Sequence, residues 1–203
     1  MCGAVSPGMT FKPKTRGWLD KLYLVYFIQH IPPTLLIDLS PLYPDALTPP
    51  WMKDLRSWYV TTYKDPLIGS QSYPGGWFTA FLAYEALFQL PFFFYAAFEL
   101  WKGAKDVYLP LLIYGIHVTT TTSACLGELL SFKDHILAMP EKATLLAFYL
   151  PYILIPILMS WDMWGRIKEG LRAQYSENLH ARAAIYATCA LLRTDWKHDT
   201  NVD

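Results

Sequence analysis

Long apolar stretches alternate with short charged ones along this chain. Four windows stand out: Leu22 to Leu39, Trp77 to Leu100, Val107 to Leu130 and Ala143 to Trp161. An α-helix rises 1.5 Å per residue, so about 20 mostly apolar residues cross the roughly 30 Å of bilayer hydrocarbon. Each window therefore predicts a spanning helix. The fourth carries no charged residue, whereas the first holds His30, Pro32, Pro33 and Asp38. The first is too long for the apolar core of a cleaved signal peptide, and no small-residue cleavage site follows it. Helices of a soluble bundle keep a polar face along their length; these windows do not. The pattern predicts an all-α integral membrane protein built as a four-transmembrane-helix bundle.

The flanks suggest an orientation. Lys12, Lys14, Arg16 and Lys21 precede the first window, and Lys102 and Lys105 follow the second. Arg166, Lys168, Arg172, Arg182, Arg193 and Lys197 follow the fourth. With four spans these lie on one side and outnumber Lys53, Arg56, Lys64, Lys133 and Lys142 on the other. Positive charge marks the cytoplasmic face, so both termini are expected there. The expected organisation is a cytoplasmic segment over 1–17, a membrane domain over 18–164 and a polar cytoplasmic tail over 165–203. Within the loop from Ser40 to Gly76, the run Trp51 to Tyr63 reads as a short amphipathic helix on the non-cytoplasmic surface. Ala181 to Leu192 reads as a second interfacial helix.

Composition narrows the function classes. Charged residues make up only 17% of the chain, and the formal net charge is zero. Nothing in that balance suggests a nucleic-acid partner. Cys2, Cys125 and Cys189 are far apart and odd in number, so they outline neither a metal site nor a disulfide framework. No metal and no redox cofactor are expected.

Ionisable groups inside apolar spans are costly and point to function. Asp38 closes the first window. Glu85 lies two turns into the second, with Gln89 one turn on along the same face. His117 lies in the middle of the third and is followed by Thr119 to Thr122, of which Thr121 shares its face; Glu128 comes three turns later. Four alternating spans bring Asp38 and Glu85 into the same half of the membrane. Asp65, just before Pro66, can fold over them, and Tyr149 and Tyr152 of the fourth window lie at similar depth. Glu99 and Asp162 sit at cytoplasmic ends, where solvation is expected.

Two or three carboxyls in one low-dielectric pocket cannot all be ionised. Such a site suits a lipophilic cation, with a carboxylate as counter-ion and aromatic walls. It equally suits proton transfer to and from an apolar substrate. Each residue also has a plainer role open to it. Asp38 can cap a helix end, Glu85 can bond a neighbouring helix, and Asp65 can serve its turn. His30 and His117 can be packing residues, and the threonines can be helix-packing glue.

Several motifs, in order and in register from about residue 19 to 164, resemble the sigma-2 receptor family of the emopamil-binding-protein (EXPERA-domain) superfamily. They are Tyr26-Phe27-Ile28-Gln29-His30-Ile31-Pro32-Pro33-Thr34-Leu35-Leu36-Ile37-Asp38-Leu39, Trp58-Tyr59, Lys64-Asp65-Pro66-Leu67 and Glu85-Ala86-Leu87-Phe88-Gln89-Leu90-Pro91-Phe92-Phe93. Ile113-Tyr114-Gly115-Ile116-His117 and Tyr149-Leu150-Pro151-Tyr152-Ile153-Leu154-Ile155-Pro156 complete the set. The chain looks like a fungal-type member. The resemblance implies a multi-pass endoplasmic-reticulum membrane protein, a homodimer, and a pocket for sterols and lipophilic amines opening to the bilayer. It implies that Asp38 pairs with a ligand amine and that Asp65 supports it. Glu85, Gln89 and Tyr152 match pocket positions.

The superfamily also contains a sterol isomerase that uses His and Glu four residues apart on this helix, plus a Glu on the next. His30 and Glu85 fit that pattern, but Thr34 stands where the nearer Glu would be, with Asp38 one turn beyond. Terpenoid cyclases of the superfamily need a similar acidic, aromatic cavity. Three functions follow as expectations: a binder of sterol-like, terpenoid-like or cationic amphiphiles; an isomerase or cyclase using Asp38, Glu85 and His30; and a membrane biogenesis or targeting factor. The binder's residues would be Asp38, Asp65, Glu85, Gln89, His117, Thr121, Tyr149 and Tyr152. The final residues, from Lys197 to Asp203, lack the lysine-rich ending of the animal receptors.

Overall fold

A computed structural model describes residues 17–69 and 76–199, with side chains as far as residue 187. The expected segment 1–17 thus lies almost wholly outside the described residues, as do 70–75 of the long loop and the last four residues. Every described element is helical. Helix α1 (Gly17–Pro33) runs on through a π-helical turn, Thr34–Asp38, and a 3-10 turn, Ser40–Leu42. Two helices follow on the connecting loop, α2 (Pro50–Tyr63) and the single turn α3 (Pro66–Gly69). The next long helix comprises α4 (Gly76–Tyr84), a second π-helical turn, Glu85–Gln89, and α5 (Leu90–Lys102). Gly103 ends it at φ 68°, and the Gly103 and Ala104 N–H groups bond back to Leu100 and Glu99. Then come α6 (Tyr108–Ser131), α7 (Met139–Tyr149) and α8 (Pro151–Asp199).

Three stretches are long and apolar enough to cross a membrane: Gly76–Lys102, Tyr108–Ser131 and Met139–Ala187. They coincide with the second, third and fourth expected spans. The first is the π-interrupted α1 segment, whose regular part has 17 residues. The outward surface is apolar, with Leu87 81% and Trp161 79% exposed. A water-facing monomer rarely shows such apolar patches, whereas a lipid-facing one does.

Residues Thr15–Trp164 form one compact unit. Inside it α1 packs chiefly on α5. Phe27, Phe93 and Tyr114 are buried where α1, α5 and α6 meet, with Tyr114 stacked on Phe92 at 4.9 Å. The Tyr26 and Tyr114 hydroxyls lie 3.2 Å apart. A second core joins Leu67, Ile68, Phe78, Leu82, Leu129 and Leu145. Helices α6 and α8 approach closely at Gly115, where a Cβ would lie 2.8 Å from the Pro156 carbonyl oxygen and against the Ser160 hydroxyl.

Two expectations change. Asp162 is buried rather than solvated, 3% exposed, and accepts a hydrogen bond from the Tyr23 hydroxyl at 3.3 Å. The residues Ala181 to Leu192 are not a separate short helix; they continue α8. From Gly165 on, α8 belongs to a second unit, and its side chains from Gln174 to Ala187 are all exposed. The expected helix over Trp51 to Tyr63 is α2. It buries no residue fully and leaves Trp51 and Trp58 outward.

Candidate functional site

Two π-helical turns set out the acidic groups. In each, an N–H skips one residue further back than in an α-helix: Leu39 bonds the Thr34 carbonyl at 3.0 Å, and Leu90 bonds the Glu85 carbonyl. Both turns lie beside prolines, which lack an N–H and clash with the carbonyl four residues back. Pro32 and Pro33 precede the first turn and Pro91 follows the second. The extra residue absorbs the disruption and turns the flanking side chains, as π-bulges at functional sites commonly do.

The two turns face each other through Thr34, which is fully buried. Its Oγ1 lies 3.1 Å from Glu85 Oε1 and 3.4 Å from Asp38 Oδ2. A hydroxyl carries one proton and can donate to only one of them. A hydrogen bond on the other side requires a carboxyl that is itself protonated and donates to Thr34. The trio is therefore fully satisfied with one proton shared between two acids, the arrangement expected of paired carboxyls away from water.

Asp38 and Glu85 are half-buried and line a cavity of about 440 Å³. Ile37, Ile68, Phe78, Phe81, Leu82 and Val118 form much of its apolar wall. Tyr59, Phe148 and Tyr149 add aromatic surface, and Cys125 a buried thiol. Gln29, His30, Gln89 and Tyr152 contribute the remaining polar lining together with Thr121 and Thr122.

Asp65 is not on that surface. It is 1% exposed and sits behind the wall. Its Oδ1 accepts the Leu67 N–H at 2.8 Å, closing the turn before Pro66, and its Oδ2 accepts the Tyr59 hydroxyl at 3.1 Å. The Tyr149 hydroxyl also bonds it. Asp65 thus holds two lining tyrosines rather than facing the cavity. Burial pushes its carboxyl above the ordinary range, while the Leu67, Tyr59, Ile68 and Tyr149 hydrogen bonds pull it back. Burial, with Asp65 beside it, pushes the Tyr59 phenol up as well. Outside this turn, Lys64 pairs with Glu141 and ties the end of α2 to the start of α7.

The histidines differ. His30 lines the cavity, 7% exposed, with its ring stacked on Phe93 at 4.7 Å and leaning on Tyr152 at 4.3 Å. His117 lies outside the lining. Its Nε2 is 3.4 Å from the Gln89 amide nitrogen, and Tyr84 and Phe88 meet its ring edge-on. Gln89 lines the cavity and His117 backs it. Thr121 also lines it, but its hydroxyl bonds the His117 and Val118 carbonyls at 3.3 and 3.2 Å. Thr119 and Thr120 bond Gly115 and Ile116 in the same way, which is ordinary backbone bonding for threonine in a helix.

Sequence reasoning passed over Thr34 as a contact, and also Gln29, Tyr59 and Cys125. Gln29 had a signal, being a polar group inside an apolar span. Among the described residues no group of three or more His, Cys, Asp and Glu side chains is placed to hold a metal.

Residues 51–163 match the family model EBP, described as EXPERA (EXPanded EBP superfamily). The chain is 38% identical to sigma intracellular receptor 2 of Xenopus tropicalis over 152 residues, covering 71% of this chain and 87% of that one. To the human protein of that name it is 37% identical, covering 72% and 88%. It is 36% identical to efficient mitochondria targeting-associated protein 19 of Schizosaccharomyces pombe, covering 81% of this chain and 85% of the relative.

Proposed function

Because the chain belongs to the EXPERA (expanded EBP) superfamily, with the sigma-2 receptors among its relatives, we propose that it is a receptor-like binder of lipophilic ligands within a membrane. Residues 18–164 are its membrane domain, with four spans and both termini cytoplasmic, and its membrane is that of the endoplasmic reticulum. The ligand is sterol-like, terpenoid-like or a lipophilic cation, and the role is lipid or sterol handling. The observation that carries this reading is the Asp38–Thr34–Glu85 bridge at the edge of an aromatic cavity.

Glu85 keeps the shared proton and donates it to Thr34, Thr34 donates to Asp38, and Asp38 remains the carboxylate. An ammonium group of a ligand pairs with Asp38, while its apolar body rests on Phe78, Phe81, Tyr149 and Tyr152. Gln89 and Thr121 complete the wall. Asp65 positions Tyr59 and Tyr149, and His117 backs Gln89. A neutral sterol occupies the same walls. Saturation binding of a radiolabelled lipophilic amine, with Asp38→Asn alongside, tests this; unchanged affinity in the variant contradicts it.

A second reading draws on the same bridge. A carboxylic acid held beside an apolar cavity is a general acid. Glu85 would protonate a carbon–carbon double bond, and Asp38 would take a proton from the carbon next to the cation, with His30 as a neighbouring wall. That sequence shifts a sterol double bond or closes a terpenoid ring without redox change. Microsomes fed sterol and prenylated substrates, with Asp38→Asn and Glu85→Gln controls, decide it by their products. The name of the Schizosaccharomyces pombe relative supports a third reading, a membrane-targeting role. That one predicts import or insertion defects in a deletion strain with an unaltered sterol and terpenoid profile.

A further inference from the structure

We propose that the part of α8 beyond the last span docks on the anionic headgroups of its own bilayer, through a face where exposed apolar and aromatic residues are interleaved with Lys168, Arg172 and Arg182. This face lies past residue 163, where the match to the EXPERA family model ends. It is independent of the cavity and of whatever the cavity holds.

The argument starts from exposure. Leu171, Tyr175, Leu179, Ile185 and Tyr186 are between 49% and 69% exposed, in the unit that begins at Gly165. Lys168, Arg172 and Arg182 are exposed as well. At 3.6 residues per turn, all eight fall within about 140° of the helix circumference. Glu169 and Glu177, also exposed, lie on the opposite half.

That charge pattern is not the one a helix adopts for water alone. A solvated helix gains from opposite charges four residues apart and loses from like ones. Here Lys168 and Arg172 are four apart and repel. Among the described residues none of these three cations forms an ion pair, whereas Lys53, Lys64, Lys102 and Lys142 do. An anionic surface turns the repulsion into a gain, because each Lys or Arg beside it is attracted separately.

The mixture on the face selects the kind of partner. A helix seated in an acidic protein groove presents a narrow stripe of apolar anchors. Here cations share the arc with the apolar side chains. That suits the headgroup level, where Lys and Arg reach outward along their stems and tyrosine is at home. The stretch also follows the fourth span directly, so a bilayer surface is always within reach. Gly165 and Gly170 stand between the two. A Cβ at Gly165 would meet nothing within 4 Å, so packing does not demand the glycine. Glycine lowers the cost of leaving the helix and lets the stretch turn onto the surface.

The full chain is placed in nanodiscs of phosphatidylcholine alone or with about one third phosphatidylserine, and amide hydrogen exchange is followed over residues 166–187. Each cation at an anionic surface adds about fivefold to binding, so exchange there should slow at least about tenfold in the anionic discs. Salt at about 1 M, where charges are screened within about 3 Å, should remove the effect. Lys168→Gln, Arg172→Gln and Arg182→Gln together should abolish it, and these exposed positions leave the membrane domain intact. Glu169→Gln with Glu177→Gln should preserve it. Exchange in α6 should be the same in both discs, which shows that the spans are inserted equally. Equal exchange over 166–187 in the two discs overturns the proposal and leaves the face to an acidic protein surface. Protection that survives salt and the triple variant also overturns it. Protection that grows with protein concentration in detergent, without any lipid, makes the occupant a second copy of this chain and overturns it too.

Discussion

The Thr34 hydroxyl lies 3.1 Å from the Glu85 carboxyl and joins two helical segments at their π-turns. Thr34 occupies the place where a catalytic glutamate would stand in the isomerase pattern. It does not remove the acidic site; it becomes the link between the remaining two acids.

Removing the link should be costly. Thr34→Val keeps the shape but deletes the hydroxyl, leaving Asp38 and Glu85 without their common partner. A buried group stripped of its hydrogen bond costs about 1–3 kcal/mol. The melting temperature of the detergent-purified protein should fall accordingly, and Thr34→Ser should restore most of it. Equal melting of Thr34→Val and wild type would argue against the bridge.

Asp65 should leave a signature in pH. Burial raises its carboxyl above the ordinary range, so the folded state holds that proton more tightly than the unfolded chain. The associated stability is complete below about pH 3.9 and is lost as pH rises through the higher folded value. Asp65→Asn cannot titrate. Wild type should therefore lose stability relative to the variant as pH rises from about 4 towards neutrality. Parallel melting curves across that window would contradict the assignment.

Two glycines of α6 make a paired test of packing. A Cβ at Gly115 meets the Pro156 carbonyl oxygen at 2.8 Å, whereas one at Gly127 meets nothing within 4 Å. Gly115→Ala should push α8 away and cost about 1–3 kcal/mol, the usual range for overpacking. Gly127→Ala should be neutral or stabilising by up to about 1 kcal/mol, since alanine suits a helix better than glycine. Thermal melting of the two variants side by side checks the contrast.

Much of this architecture is readable from hydropathy because a bilayer demands a long apolar run. The second window, Trp77 to Leu100, falls inside Gly76–Lys102, and the third, Val107 to Leu130, is displaced by one residue from Tyr108–Ser131. What is not readable is register. Pro32, Pro33 and Pro91 warn of a disturbed helix, but not that the disturbance is a π-turn that aims Thr34 between two carboxyls. Depth behind a surface is equally hidden. Asp65 reads as a cavity group, yet its hydrogen bonds turn it inward to Tyr59 and Tyr149. Asp162 reads as solvated because its partner, Tyr23, is remote in sequence. His117 reads as a pocket group because helical spacing places it near Thr121, while its ring is spent on Gln89.

Binding at the carboxyl bridge tests the central claim most directly. A radiolabelled lipophilic tertiary amine is titrated against the full chain in detergent, with Asp38→Asn and Glu85→Gln confirmed as folded. Removing one partner of a buried ion pair costs about 3–5 kcal/mol, so Asp38→Asn should lose at least about 100-fold in affinity. Glu85→Gln retains a donor towards Thr34 and should lose about tenfold or less. Wild-type affinity in a folded Asp38→Asn protein would contradict the account.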